Sequence, residues 1–358
     1  MKKYFKSIWF YLGFIAFFLL IIVSCGQYSD FDLDNDQLTL QPIAFISKQD
    51  TLSGSLILPI HKEIKAIVIL IHGDGAQDRL SNSGYLPLIN QLIDAGIGIY
   101  TWDKAGIGES KGNWLHQSMQ DRADEAQIAF ELIKNKFTGT NIKIGYLGFS
   151  QAGWVIPIAA SHSNPDFSVI IGGAVNWREQ GAYYEQTRLQ NANASDKKIN
   201  EKVTKQLQQN DLIFGVNGSH DSSTYDDMSD DRFYFVSRNY LSDSAKNLPS
   251  MNGRILAIWG EVDLNVDSNK NACLYRQLTA DKSDTTIALL PSASHGLLKA
   301  PIFNYQLESQ WPWWVKIFFI YQGRDSYAPN SLNIITTWIT DDSKVPTRYT
   351  LFECKQTK

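Results

Sequence analysis

Cysteine is scarce in this 358-residue chain, with Cys25, Cys273 and Cys354 standing far apart and no C-x-x-C pair among them. The six histidines are equally scattered, and none forms an H-x-x-x-H pair. Zinc and other metal sites draw on such spacings, so no metal and no cofactor is expected. No stretch of lysine and arginine forms a basic stripe, and the net charge is −4. A surface that cannot neutralise phosphates argues against nucleic acid as a partner. Internal repeats and low-complexity blocks are also missing. What remains is an ordinary globular composition, 44% hydrophobic and 20% charged, enough to bury a full core.

The first residues carry a separate message. Met1-Lys2-Lys3-Tyr4-Phe5-Lys6 is basic, Trp9 through Val23 is uncharged and almost wholly apolar, and Ser24-Cys25-Gly26 follows. A secretory signal has this arrangement. The apolar run falls somewhat short of the ~20 residues a spanning helix requires. Ile22-Val23-Ser24-Cys25 resembles a bacterial lipobox, which implies cleavage before Cys25 and lipidation of that residue. An uncleaved N-terminal anchor is the alternative. Either places the body outside the cytoplasm, tethered to a membrane. Gly26, standing where an inner-membrane retention aspartate is common, leans toward an outer membrane in a Gram-negative source. With Cys25 so used, Cys273 and Cys354 could bond only with Cα atoms within ~7 Å, which sequence does not establish; no disulfide is assigned.

The body reads as alternating strands and helices. Ala66–Ile71, Ile97–Trp102, Lys143–Phe149, Ser168–Gly173, Arg254–Gly260 and Thr285–Leu290 are apolar runs suited to a parallel sheet covered on both faces. Gln37–Ile46 and Thr51–Leu58 form a leading hairpin. Helices are predicted near Gly84–Ala95 and from Ser118 to about Phe137, where Ser118 and Asp121 resemble a capping box. The rhythm breaks between Ala174 and Asn252. Trp177–Gln190 and Asp196–Asn210 look helical there, and Val216–Asp231 looks like a polar loop. Trp177, Tyr183, Tyr184, Phe233, Tyr234 and Phe235 either line an acyl pocket or pack this insertion onto the sheet.

Chemistry-bearing residues stand just past the strand ends. Gly148-Phe149-Ser150-Gln151-Ala152 has the layout of a nucleophile elbow, with small residues where strand and helix crowd the turn. His72-Gly73-Asp74-Gly75 follows one strand and can turn backbone N–H groups into a cleft. Glu261-Val262-Asp263 follows a late strand, and His295 follows the last. Serine, then acid, then histidine is the α/β-hydrolase chain order. On these residues the chain resembles the α/β-hydrolase superfamily, especially its bacterial esterase and serine-aminopeptidase-like branch, over roughly residues 37–340. The fold implied is a mostly parallel central sheet flanked by helices, with a mainly helical lid insertion.

The resemblance implies Ser150 as nucleophile, Asp263 as acid and His295 as base. It implies an oxyanion hole from the N–H groups of Gln151 and Asp74, with Gly75 a possible substitute. Asp267 is the rival acid. Ala105 replaces a frequent arginine in the Asp103-Lys104-Ala105-Gly106 loop, which puts the anchoring of that loop in doubt; Asp103 itself is expected to tie loops together. The string Gly73-Asp74-Gly75-Ala76-Gln77-Asp78-Arg79 also resembles a G-x-G-x-Q-D-R loop of bacterial hydrolases. The expected partners are a small-molecule ester or acyl substrate and a membrane, with oligomeric state left open. Ester hydrolysis is the first reading. Aminopeptidase-type peptide hydrolysis and a catalytically silent binding lipoprotein are its rivals.

The expected organisation is a signal peptide at 1–24, a tether at 25–36, core at 37–173, a lid at 174–252, core again at 253–343, and a tail at 344–358. The tail is predicted to be loose or strand-like. The aromatic stretch Trp311-Pro312-Trp313-Trp314 is predicted to turn at its proline and continue as a short buried helix, or to touch a membrane surface or cover the site mouth.

Overall fold

Residues whose side chains alternate between two apolar faces build the centre of the molecule. In strand β3 (Ala66–Ile71), Ile67, Ile69 and Ile71 enter one buried cluster while Ala66, Val68 and Leu70 enter another on the opposite face. Each of the isoleucine, valine and leucine side chains contributes about 1.5–3 kcal/mol when fully buried. A strand needing cover on both sides forces a three-layer arrangement. The computed structural model describes residues 13, 28–33, 36–221, 223, 228–342 and 345–354. Cys25, the signal apart from residue 13, and residues 26, 27, 34 and 35 of the tether lie outside the described residues.

The other strands are β1 (Leu38–Ser47), β2 (Asp50–Pro59), β4 (Ile97–Trp102), β5 (Lys143–Phe149), β6 (Phe167–Ile171), β7 (Arg254–Gly260) and β8 (Thr285–Leu290). They form one eight-stranded sheet in the order β1-β2-β4-β3-β5-β6-β7-β8. The pairs β1–β2 and β2–β4 are antiparallel and the rest parallel. Register aligns Ile71 with Gly148 and Gly260 with Leu290, so the ends of β3, β5, β7 and β8 share one rim. Open α/β sheets place their sites there.

Helix α1 (Leu86–Asp94) covers one face through Leu88, Ile89 and Leu92. Helix α2 (Met119–Lys136) covers the other through Ala126, Phe130 and Ile133. The expected capping box starts it: Ser118 Oγ accepts from the Asp121 N–H at 3.1 Å, and Asp121 accepts from the Ser118 N–H at 2.8 Å. Helix α3 (Ala152–His162) follows the elbow. Between β6 and β7 lie α4 (Trp177–Asn191), α5 (Asp196–Phe214) and α6 (Asp230–Asn239). The last of these falls where the sequence pattern stopped at a loop. Its inward residues, Phe233 and Phe235, are too few to print a helical period. Helix α7 (Ser268–Leu278) precedes β8.

Two expectations at the C-terminal end are corrected. Helix α8 (Trp313–Gln322) begins at Pro312 as expected, but it is not buried: only Val315 is enclosed, while Trp313 is 74% exposed. Helix α9 (Ser331–Asp341) then packs Ile335, Trp338 and Ile339 onto the sheet. The segment beyond is not loose where it is described. Val345 and Tyr349 are buried, Thr347–Thr350 make a helical turn, and Cys354 is bonded to Cys273 on α7 with Cα atoms 5.5 Å apart. Polar residues around a single buried tyrosine hide that anchoring in sequence. Among the described residues no helix is long and apolar enough to cross a membrane.

The disulfide closes a loop of 81 residues. A cross-link of that span restricts the unfolded chain, and Cys354→Ser is expected to cost about 2–4 kcal/mol. Denaturant unfolding with and without reductant checks this: reductant should lower the midpoint of the wild type and leave the variant unmoved.

Candidate active site

Ser150 sits in the left-handed region at φ 51, directly after β5. A non-glycine residue there stores roughly 1–3 kcal/mol of strain, which surrounding packing must hold. The Ser150 N–H donates to the Ile171 carbonyl at 2.7 Å, locking the turn to β6. A Cβ at Gly148 would lie 2.5 Å from that of Ala152, and one at Gly153 would lie 2.7 Å from the Gly173 Cα. Only small residues fit so sharp a strand-to-helix turn.

Asp263 and His295 meet at the neighbouring strand ends. His295 Nδ1 lies 2.7 Å from Asp263 Oδ2. The other oxygen, Oδ1, accepts from the N–H groups of Asn265 at 2.7 Å and Val266 at 2.9 Å. The Asp263 side chain is wholly enclosed, so its orientation has no freedom. The rival acid has a different job: Asp267 caps α7 by accepting from the Lys270 N–H. Gly172, at φ +62, passes beneath the imidazole, where a Cβ would come within 3.0 Å of Cε1 and Nδ1. Bonding at Nδ1 leaves Nε2 facing away from the carboxylate. Ser150 and His295 line the same cavity, and among the described hydrogen bonds none joins the hydroxyl to the imidazole.

The loop after β3 runs beside the elbow, with Gly73 placed so that a Cβ would stand 3.6 Å from that of Ser150. Among the described hydrogen bonds the N–H groups of Asp74 and Gln151 have no acceptor, which leaves both available to a ligand oxygen. The Gly75 N–H lies close enough to the Asp74 carboxylate to favour its charged form. Cations hold this loop from three sides. Lys104, buried under it, donates to the carbonyls of Gly73 at 2.6 Å and Gly75 at 2.8 Å. Arg122 of α2 donates to the His72 carbonyl at 2.6 Å and to the Gln151 side chain. Arg232 of α6 pairs with Asp74 at 3.1 Å, joining the insertion to the loop.

The missing arginine at position 105 is supplied from elsewhere. Arg79 donates from Nε and Nη2 to the two oxygens of Asp103, at 3.0 and 2.6 Å, and its N–H adds a third bond at 2.7 Å. Burial pushes the Asp103 carboxyl up, but the Arg79 and Glu109 hydrogen bonds more than offset this and hold it below its ordinary value. Asp103 thus ties loops together as expected.

Sequence reading did not single out Arg122, Lys104 or Arg232. Arg122 had a signal: it falls on the stripe of Met119, Ala123 and Ala126, where a charge must have a buried partner. Arg232 had none.

Two cavities open on Ser150. One, of about 610 Å³, is walled by Tyr85, Phe149, Leu298, Trp311, Phe319 and Ile320. The other, of about 390 Å³, lies under the insertion and carries Gln151, Gln180, Gln206 and Arg232 beside Trp154 and Trp177. Trp177 and Tyr184 therefore line a cavity, whereas Phe233 and Phe235 pack the insertion. Among the described residues no cluster of histidine, cysteine and carboxylate side chains could hold a metal.

Burial drives His72 down to about 3, keeping it neutral; its Nε2–H then donates to the Trp102 carbonyl at 2.6 Å. Lys104 is pushed well below its usual value by burial and by Arg122. Burial raises Glu125 to about 7, against Gln117 and Arg122, which favour its charge. The sign follows from proton counts. Between 4.5 and about 7 the native state holds a proton that the unfolded state has lost, so stability falls as pH rises through that window. Glu125→Gln is expected to flatten this slope, measured as unfolding free energy from pH 4.5 to 8.

Comparison with known proteins gives the following. A family model described as serine aminopeptidase, S33, matches residues 62–302. No curated protein matches the sequence. An esterase of Pyrococcus furiosus superposes with a TM-score of 0.51 at 15% identity, over 81% of this chain and 92% of that one. A carboxyl esterase 2 of Tuber melanosporum gives 0.48 at 12% identity, over 83% and 88%. An acylaminoacyl peptidase of Pyrococcus horikoshii gives 0.47 at 15%, over 73% and 38%. At 15% identity the Pyrococcus furiosus match speaks to the fold alone.

Proposed function

The chain belongs to the serine aminopeptidase S33 family of hydrolases, and on that footing we propose that it cleaves carboxylic esters through an acyl-enzyme on Ser150. The observation that carries this reading is the His295–Asp263 bond of 2.7 Å at the rim where Ser150 stands in its left-handed turn. A serine hydroxyl attacks a carbonyl only when a base takes its proton. With Nδ1–H donated to Asp263, the Nε2 of His295 is the acceptor. It removes the Ser150 proton as the bond to the carbonyl carbon forms, then returns the proton to the departing alcohol. Asp263 fixes the tautomer and stabilises the imidazolium without taking the proton. The free N–H groups of Asp74 and Gln151 receive the negative charge that develops on the carbonyl oxygen. Each such donor is worth about 3 kcal/mol, or 10²–10³ in rate. Water then repeats the sequence on the acyl-enzyme.

Peptide hydrolysis from a free amino end is the second reading, favoured by the family's description. It would need an unengaged carboxylate to receive the amine. Asp74, which lines both cavities beside Ser150, is already bonded to Arg232 and Gln151, so the acid this reading would use is Glu308 of the larger cavity, whose side chain enters no described ion pair. Among the polar side chains of the larger cavity stands an apolar wall of Tyr85, Phe149, Leu298, Trp311 and Phe319, which suits an acyl or alkyl group.

Ser150→Ala is expected to abolish turnover of aryl acetates and labelling by a fluorophosphonate probe. Asp263→Asn is expected to lower turnover about 10⁴-fold, the scale of a lost tautomer. Steady-state rates on aryl acetates and aminoacyl anilides check both. Exclusive cleavage of the anilides would make the peptidase reading the better one, and a native protein inert to the probe would favour a silent binding role. We also propose that Cys25 is lipidated. Intact-mass comparison of wild type with Cys25→Ala should reveal loss of the acyl mass, and equal masses apart from the substitution would refute the lipobox.

A further inference from the structure

We infer that the outer face of α8 is a docking surface for a phospholipid bilayer, seating the mouth of the larger cavity at the membrane. Trp313 is 74% exposed, Trp314 49%, Ile317 47%, Ile320 43% and Tyr321 42%. At about 100° per residue they fall, together with Lys316, on one arc of roughly 160°. Val315, Phe318 and Phe319 occupy the rest and face the body. Five large apolar or amphipathic side chains side by side are more than chance exposure on a monomer. Tryptophan and tyrosine favour the boundary between headgroups and acyl chains, where ring and polar edge are both accommodated. Lys316, the arc's one charge, suits anionic headgroups. Ten residues make a helix about 15 Å long, able to lie along a bilayer and far too short to cross it.

The entry of the chain selects a membrane over other occupants. Asp30, 2% exposed, accepts from Arg324 Nε at 2.7 Å and from the Arg324 N–H at 2.8 Å, just past the end of α8. Phe31 packs edge-on against Phe319 with ring centres 5.2 Å apart. Asn90 holds the Asp30 and Asp32 carbonyls. The polypeptide arriving from the Trp9–Val23 apolar run is thereby fixed beside α8. Cys25 is three residues from Tyr28, a span of at most about 11 Å. An anchor held that near brings the exposed arc to the same surface. The cavity that holds Ser150 and His295 is lined by Phe31, Lys316, Phe319 and Ile320 at this edge, so a docked helix opens it toward the lipid.

The test uses the full chain in vesicles of phosphatidylcholine and phosphatidylglycerol. In a Cys25→Ser background, which retains the apolar run, a fluorophore is attached at Ile317→Cys or, as control, at Leu212→Cys on α5, 74% exposed. Nitroxide-bearing lipid should quench the first several-fold more than the second. Equal quenching at both sites overturns the proposal. So does shielding of position 317 that needs no vesicles and grows with protein concentration, which would assign the face to a second copy.

A rate measurement adds an arm that rests on the hydrolase reading. Trp313→Asp with Ile317→Asp should slow hydrolysis of a vesicle-borne long-chain ester about tenfold, the scale for withdrawing apolar side chains from an interface, while a soluble short-chain ester is cleaved as before. Unchanged hydrolysis of both esters counts against docking. If the wild type cleaves neither ester, the hydrolase reading fails alone, because the quenching comparison needs no turnover.

Discussion

The turn at Ser150 constrains everything around it. Its left-handed backbone is held by the bond to Ile171 and by the absence of side chains at Gly148, Gly153 and Gly173, so strand, turn and helix can approach more closely than other residues would permit. That closeness lifts a hydroxyl above the sheet and leaves the next amide, of Gln151, at the head of a helix with no acceptor among the described hydrogen bonds. The neighbouring strands owe their placement to a parallel sheet buried on both faces. Because β7 and β8 pair in register, Asp263 and His295 emerge side by side.

A second constraint is electrostatic. The loop that would receive a developing oxyanion is held by Lys104, Arg122 and Arg232, while Arg79 clamps the adjoining loop through Asp103. Buried cations are tolerable only when partnered, and here the partners are backbone carbonyls and carboxylates of the same loops. Rigidity at the site is thus obtained from charges that take no part in the proposed chemistry. The contact between Arg232 and Asp74 also makes the insertion part of the wall rather than a separate cover.

The two ends of the described chain converge on the body instead of trailing from it. Asp30 and Phe31 fasten the N-terminal entry beside α8, and the Cys273–Cys354 bond fastens the C-terminal segment to α7. The first attachment brings Phe31 to the edge where the larger cavity opens. Where the described chain enters the body and where the larger cavity opens are therefore one structural fact.

Strand positions, the elbow and the chain order of serine, acid and histidine were legible in sequence because local patterns carry them. Burial on both faces demands continuous apolar runs, a crowded turn demands small flanking residues, and a helix start demands its cap. Its place at the strand end already favours Asp263 over Asp267, but the physical reason needed the fold, where Asp263 meets the imidazole and Asp267 caps a helix. The same holds for Arg79 replacing the arginine missing at 105, for the cysteine pair, and for the exposed face of α8. Each depends on residues far apart in the chain, and hydrophobicity alone cannot say whether an apolar side chain finds a partner. Periodicity records what a segment needs; only the assembled sheet, helices and loops decide which of those needs are met by the protein itself.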